Sequence, residues 1–504
     1  MTHRRIVAAS AIGVTVVALG LLVPLTSGRG SEMDEGAVVT YASRVLDGAI
    51  PHRDFSTFYG PGNPFIVAGA FALFGESVTT ERVVGLAYRL LIVLSLFAIG
   101  LRLAGVVAGA LTGIVAASML AEELVWAYAT YGALAFGVLG LALATIGSAS
   151  SGRRQHMLFL CAGLAGGVGV LIRPDFAPAV IASIVPLLLY VSARARIWYG
   201  AGFVALAGLY LPHAVLVGSD RVERLIGDIR ASGPGRTLPI PRPWGETWQR
   251  LTLGTFVVGC LIVLGAVLWR RERQNIEGRV LLGAGLLSAG LLPWTLSRLD
   301  GFHIRPFAVI PLSLLPAVVL LLGARRLAPG TRGRTALSVA VAAITLLVLA
   351  DDLRPIGGNT RELRGIRNAY RGFYDDDGRA GSRAMIARLA SLARPGDSLF
   401  VGPQDLRRTN YGPTFMYFLL RDLEPASYYM EMNPGAANRE GSGLADDIRR
   451  ADWLILTSEW DDWNEPNESM DFGPSEPNDV VRDDFCLRLE RAQYRLYERC
   501  DRAA

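Results

Sequence analysis

Apolar residues run along the first 350 positions of this chain in blocks near the roughly 20 residues that a bilayer requires, separated by short polar stretches. The pattern predicts about eleven transmembrane helices, at about 6–25, 83–101, 105–120, 131–148, 157–172, 177–192, 197–217, 252–269, 280–297, 304–323 and 335–350. The first block has the basic start of a signal peptide, but TSGRGSEMDEG after it offers no small-residue cleavage site, so it is read as a retained helix. From 351 to 504 the pattern changes. Short apolar strands (DSLFVG, ADWLILTS, YRLYERC) alternate with helical segments near Arg383–Leu392 and Gly443–Arg450, which predicts a small soluble α/β domain. The expected fold is an α-helical polytopic membrane protein with that domain at its C-terminal end, divided at 1–350 and 351–504.

Composition agrees: 51% of the residues are hydrophobic and the mean hydropathy is +0.34. The formal charge of +5 does not point to nucleic acid, because the basic residues sit in short loops between spans. All of them are arginine, which removes lysine Schiff-base chemistry and leaves phosphate recognition to guanidinium groups. Alternate loops collect them: Arg4 and Arg5, Arg102, Arg153 and Arg154, Arg194 and Arg196, the group from Arg270 to Arg279, and the group from Arg325 to Arg334. These loops are assigned to the cytoplasm, with the N-terminus, and 351–504 to the outside of a plasma membrane. The polar clusters then gather at the outer face: Asp34 and Glu35, Glu122 and Glu123, Arg173 with Asp175, and Arg298, Asp300, His303 and Arg305.

The stretch from Ser31 to Gly75 carries the most information. It sets the adjacent acids Asp34 and Glu35 at the membrane boundary, then a helical segment ending near Gly48, then an aromatic run broken by Gly and Pro, HRDFSTFYGPG. This resembles the first extracytoplasmic loop of the lipid-dependent GT-C glycosyltransferases, where an acidic pair after the first transmembrane helix carries the catalytic base. The resemblance covers the first third of the chain, and the rest by layout. LLIRPDFAP resembles the basic residue closing a comparable helix, and SRLDGFHIRPF resembles an Asp-to-His element of bacterial members. The likeness points to the glycosyltransferase family 39 protein mannosyltransferases, the aminoarabinose transferases and the arabinofuranosyltransferases, in an actinobacterial form.

The resemblance implies an inverting transferase that moves a sugar from a polyprenyl-phosphate donor to a glycan, lipid or protein acceptor of the cell envelope. Phosphate is already a competent leaving group, so one base and one cation suffice. Asp34 and Glu35 are the catalytic candidates. Arg173, Arg230, Arg236 and Arg305 are the candidates for donor phosphate, and His52, Tyr59, Glu122, Glu123, Asp300 and His303 for substrate. Each has a plainer reading. Acids at a helix start complement the macrodipole, Arg173 is a snorkelling arginine paired with Asp175, His52 and His303 are hydrogen-bonded anchors, and Glu122 and Glu123 are loop charge. Neither of those last two acids has a histidine or cysteine partner at metal-ligand spacing, so no metal is expected, nor any cofactor.

The loop from Gly218 to Arg250 reads as an amphipathic helix followed by a Gly/Pro-rich tail with Trp244 and Trp248, suited to the headgroup layer and to closing over a donor. VGPQDLRRTNYGP after the first C-terminal strand lacks a nucleotide fingerprint, and YYMEMNPGAANREGSG is a candidate acceptor contact. A bridge between Cys486 and Cys500 would close a loop of about fifteen residues, worth on the order of 3 kcal/mol. The competing functions are a transporter or flippase for lipid-linked glycans and a non-catalytic envelope sensor. A transporter needs charge near the midplane of its spans, and the charges here are read at one boundary.

Overall fold

The computed structural model describes residues 3–27, 30–121, 125–240, 245–327, 332–349, 379–409 and 411–502. In chain order the helices are α1 (His3–Leu22), α2 (Asp34–Leu46), α3 (Gly62–Phe74), α4 (Val78–Ala104), α5 (Val106–Leu120), α6 (Ala129–Ser148) and α7 (Gly152–Ile172). They continue with α8 (Ala177–Leu188), α9 (Ala193–Ala207), α10 (Tyr210–Val217), α11 (Ser219–Arg236), α12 (Glu246–Arg271), α13 (Ile276–Ser297), α14 (Gly301–Arg326) and α15 (Arg332–Val348).

Each of the eleven expected spans falls on a helix, but among the described residues eight helical segments are long and apolar enough to cross a membrane: Arg4–Thr26, Val78–Ala104, Ala129–Ser148, Gly152–Ile172, Ala193–Val217, Glu246–Arg271, Ile276–Ser297 and Gly301–Arg326. The other three expected spans fall on shorter helices. α5 has 15 residues, α8 has 12 and α15 has 17, at 1.5 Å each shorter than a hydrocarbon core. α3 is an apolar helix that begins at the last glycine of the run HRDFSTFYGPG. Pro64 lies in its first turn, where a missing N–H costs nothing.

The chain divides into two compact units. The first comprises Met1–Gly28, Arg82–Tyr210 and Ile240–Gly365. In it α7 packs on α6 and α9, α12 on α13, α13 on α8 and α14, and α5 on α1 and α14. The α7–α9 seam is built from small residues: a Cβ at Gly163 would stand 2.1 Å from the Tyr199 carbonyl oxygen, and one at Gly202 would stand 2.4 Å from that of Leu160. Backbones approach this closely in a membrane because dispersion, not water exclusion, drives the packing. Arg89 sits mid-helix in α4, fully buried, with Nη1 donating to the Trp126 carbonyl at 2.9 Å and its guanidinium 4.3 Å from the Tyr131 ring centroid. A charge near a span's midplane is therefore present, against the reading that confined charge to one boundary.

The second unit comprises Arg29–Glu81, Leu211–Pro239 and Ile366–Ala504. Packing thus assembles it from three stretches, where composition drew one boundary at 350. Its sheet has the order β2-β1-β3-β5-β4, from β1 (Ser398–Pro403), β2 (Glu424–Pro425), β3 (Trp453–Thr457), β4 (Phe485–Arg491) and β5 (Tyr494–Arg499). β1 runs parallel to β2 and β3, while β5 is antiparallel to β3 and β4. β1, β3 and β5 are the three expected strands, and the helices Arg379–Leu392 and Leu444–Arg450 fall where helices were expected. The core gathers Phe400, Tyr429, Met432, Ile448 and Leu454, and Phe58 from the first stretch packs against it. Cys486 and Cys500 are joined by a disulfide.

Candidate active site

In the second unit, Asp34 and Glu35 form the first turn of α2, where the exposed helix amides favour negative charge. Ser31 Oγ accepts from the Asp34 N–H at 3.1 Å, and the Ser31 carbonyl accepts from the Gly36 N–H at 3.0 Å. Asp34 is half-buried, whereas Glu35 is fully buried. The turn is clamped from far along the chain. The Phe415 N–H donates to the Glu32 carbonyl at 3.2 Å, and Thr40 Oγ1 donates to the Thr414 carbonyl at 3.0 Å. Gly36 permits this, since a Cβ there would lie 2.6 Å from the Phe415 nitrogen.

His52 is buried and holds a left-handed backbone, φ 69°. Its Nε2 lies 2.9 Å from the Tyr59 carbonyl oxygen and its Nδ1 lies 3.0 Å from His213 Nε2. Burial drives its pKa down to about 4, against the Tyr59 hydrogen bond, so the ring is neutral at pH 7. A carbonyl only accepts, so Nε2 carries the proton and Nδ1 accepts from His213. Tyr428 donates to the His52 carbonyl at 2.9 Å, which makes the ring an anchor for the loop that carries Tyr59. Tyr41 stacks on Phe55 at 4.7 Å and donates to the Ser56 carbonyl at 3.0 Å. Burial, then the charge of Glu431, pushes its hydroxyl well above the usual range.

α11 presents Asp228, fully buried, to this unit. Its carboxylate accepts from Tyr429 Oη at 3.1 Å and from Arg439 at 2.7 Å. Arg236 reaches Asn433 Oδ1 at 3.4 Å and covers the Phe58 ring at 4.7 Å. Arg230 is two residues from Asp228, hence about 200° round the helix, and is exposed. The arginines of this helix are therefore split between faces, and Arg230 and Arg236 do not form one group.

In the first unit, the ends of α7, α13 and α14 meet around Trp294. Arg173 closes α7, is 7% exposed, and grips Asp175 bidentately at 3.0 and 2.6 Å. Its third donor reaches Thr130 Oγ1 at 2.6 Å, and its guanidinium lies 5.1 Å from the ring centroids of both Phe176 and Trp294. His303 packs on the same Trp294 at 4.8 Å and bonds Asp300 Oδ1 through Nδ1 at 2.8 Å. Asp300 also caps α14, accepting from the amides of Phe302 and His303, with Arg298 at 3.4 Å. Burial raises the Asp300 carboxyl, but those hydrogen bonds and the His303 and Arg298 charges outweigh it and leave it below the ordinary carboxylate range. Arg305 is half-buried one step along α14. Phe302 joins the aromatic floor, 4.9 Å from Tyr128.

Arg173, Asp175, Asp300 and His303 are thus one cluster, which sequence spacing did not predict because Trp294 was absorbed into an apolar span. Glu122, Glu123 and Trp244 lie outside the described residues. Among the described residues, no three His, Cys, Asp or Glu side chains come together as a metal site.

Comparison with solved structures gives the fold an independent reading. ArnT from Cupriavidus metallidurans, solved bound to undecaprenyl phosphate, matches with a TM-score of 0.56 over 96% of this chain and 97% of its own, at 16% identity. The archaeal oligosaccharyltransferase AglB from Archaeoglobus fulgidus, solved with an inhibitory peptide and a dolichol phosphate, matches with a TM-score of 0.50, covering 91% of this chain and 70% of that one at 12% identity. This chain has the GT-C fold. No family model and no curated protein matches the sequence. The likeness therefore lies in the fold of the chain and not in residue identity.

Proposed function

We propose that this chain is a GT-C glycosyltransferase that moves a sugar from a polyprenyl phosphate to a cell-envelope glycan, lipid or protein, with inversion, on the extracytoplasmic face. The observation that carries the reading is the likeness of the whole chain to ArnT, which was solved with undecaprenyl phosphate. The acidic turn after the first span supports it, and the arginine-rich loops support a cytoplasmic N-terminus.

Asp34, the partly exposed acid, is assigned the base. It takes the proton of the acceptor hydroxyl as that oxygen bonds to the anomeric carbon. The bond from that carbon to the phosphate oxygen breaks from the opposite side, and the electron pair leaves with polyprenyl phosphate. Glu35, fully buried, is assigned to hold the turn. Arg173, already fixed between Thr130, Asp175 and two rings, is assigned to balance charge on the departing phosphate, since a pre-fixed cation costs no reorganisation during reaction. Arg305 and Arg236 are further phosphate candidates, and Tyr59, Asp300 and His303 are assigned to the substrate.

The test is transfer of radiolabelled sugar from a panel of polyprenyl-phosphate donors in membranes holding matched amounts of wild type or Asp34→Asn. Transfer by wild type and a loss of about 10²-fold or more in the variant is expected. Equal transfer by both moves the base elsewhere. Arg89 favours a second reading, translocation of a lipid-linked glycan, because buried mid-span charge is characteristic of transport paths. Its bonding to a backbone carbonyl and an aromatic face is that of a structural arginine. No transfer from any donor by folded protein would favour that second reading.

A further inference from the structure

Within the second unit a polar cavity of about 420 Å³ opens between the first turns of α11, the loop after α2 and the start of the helix Leu444–Arg450. Three carboxylates border it, and each is neutralised by an arginine. Asp54 is held by Arg53 at 2.8 Å, Asp446 by Arg449 at 2.7 Å, and Asp447 by Arg450. Asp447 also accepts from Ser427 Oγ at 3.1 Å and from the Tyr428 N–H at 3.0 Å.

Two cations remain without a carboxylate. Arg224 bonds only neutral groups here, the Tyr429 hydroxyl at 3.1 Å and the Ser442 carbonyl, while the nearby Asp228 is already paired with Arg439. Arg221 takes no hydrogen bond or ion pair from the described residues. Its guanidinium lies over the Tyr428 ring, 4.9 Å from the centroid, beside that of Arg224 at 4.7 Å. Being three apart on α11, the two face the same side. Two like charges over one ring, with every acid of the wall already satisfied, leave the cavity in want of an anion.

Chain position identifies which anion. The membrane-spanning segment Ala193–Val217 leads through Gly218 into α11 at Ser219, so Arg221 stands four residues past the apolar end. Four residues span at most about 14 Å of extended chain, which keeps Arg221 within reach of the headgroup layer at that end of the span.

We propose that this cavity is a binding site for the phosphate of a membrane lipid headgroup, held by the guanidinium pair Arg221 and Arg224. It is separate from the residues assigned above to the sugar donor, and it stands whether or not the chain is a transferase. An arginine fork matches two phosphate oxygens at once, and the volume leaves room for the glycerol that follows. The site would hold the start of α11, and with it the Tyr428–Tyr429 corner, at the membrane surface.

The experiment is native mass spectrometry of the purified full chain in detergent, comparing wild type with Arg221→Gln. Three probes are used, phosphatidylglycerol, diacylglycerol and inorganic phosphate, and phosphatidylglycerol is also tested against a second variant, Arg221→Lys. Arg221 touches only the Tyr428 face, so the variant should fold, which an unchanged thermal midpoint verifies. About fivefold or greater weakening of phosphatidylglycerol retention in Arg221→Gln is expected, with an intermediate loss in Arg221→Lys and no difference for diacylglycerol. Equal retention of phosphatidylglycerol by wild type and Arg221→Gln overturns the proposal. A wild-type advantage seen with inorganic phosphate but not with the lipid overturns the membrane source.

Discussion

One polar cluster in each unit shows opposite pairing. Around Trp294 in the first unit the ionic partners are close in sequence: Arg173 holds Asp175, and Asp300 holds His303. Around Asp228 and the acidic turn in the second they come from hundreds of residues apart, as Asp228 with Tyr429 and Arg439, Thr40 with Thr414, and Tyr428 with His52, beside local pairs such as Asp54 with Arg53. Charge at the end of a membrane-crossing helix can be met by a near neighbour, as around Trp294, or by another helix end, as Arg102 is by Glu277 at 3.0 Å. The second unit is folded from three stretches, so a buried charge such as Asp228 is met only when the assembly is complete. The first kind of pair should break cheaply, and the second should take the unit with it.

The largest expected effect is at Asp228. It is fully buried, and Arg439 would be left facing a neutral group if the carboxylate were lost. Removing one partner of a buried pair costs about 3–5 kcal/mol, and because the Arg439 side chain is 34% exposed the loss here belongs at the low end of that range. Asp228→Asn should lower the thermal-unfolding midpoint in detergent markedly, and Asp228→Asn with Arg439→Gln should recover part of the loss. No shift in the single variant would mean that the pair is relaxed by solvent, and the contrast between the units would fail.

His52 gives the second unit a pH response of known sign. Its ordinary value is near 6.5 and its folded value is about 4, so between those the unfolded chain binds a proton that the folded chain refuses. The stability tied to the neutral ring is complete above pH 6.5 and is lost as pH falls toward 4, on the order of 3 kcal/mol in all. Unfolding midpoints taken across that window should fall steadily in wild type and flatten in His52→Gln. An unchanged slope would place the titration elsewhere, with His213 the next to be tested.

What the sequence made legible follows the same division. Spans declare themselves by composition, so every expected block became a helix, while the shortfall at α5, α8 and α15 lies in boundaries. β1 and β3 read as apolar runs because both are buried almost throughout, and β4 did not, since its pattern around Leu487 and Leu489 is that of an exposed edge with a bulge. At the candidate sites, Arg173 with Asp175 and Asp300 with His303 are visible as neighbours in RPD and DGFH. Trp294, which joins them, is not, because an aromatic residue near the end of a span looks like a lipid anchor. Asp228 gave no signal at all. Its partners sit about 200 residues away, and only an alignment or a structure could pair them.

The smallest effect should come from the pair that looks strongest on paper. Arg173 grips Asp175 through two hydrogen bonds, one at 2.6 Å, yet the Asp175 side chain is 45% exposed. Water can take the place of the carboxylate, and Arg173 keeps Thr130 and the faces of Phe176 and Trp294. The charge left behind, Arg173, is buried but keeps those three partners, so Asp175→Asn should move the unfolding midpoint less than Asp228→Asn does. Its effect, if Arg173 balances charge on the leaving phosphate, should appear instead in the rate of transfer, because an arginine released from its carboxylate is repositioned. A variant as unstable as Asp228→Asn would show that Asp175 holds the end of α7 together, and the local pairs of the first unit would then be as structural as the distant ones of the second.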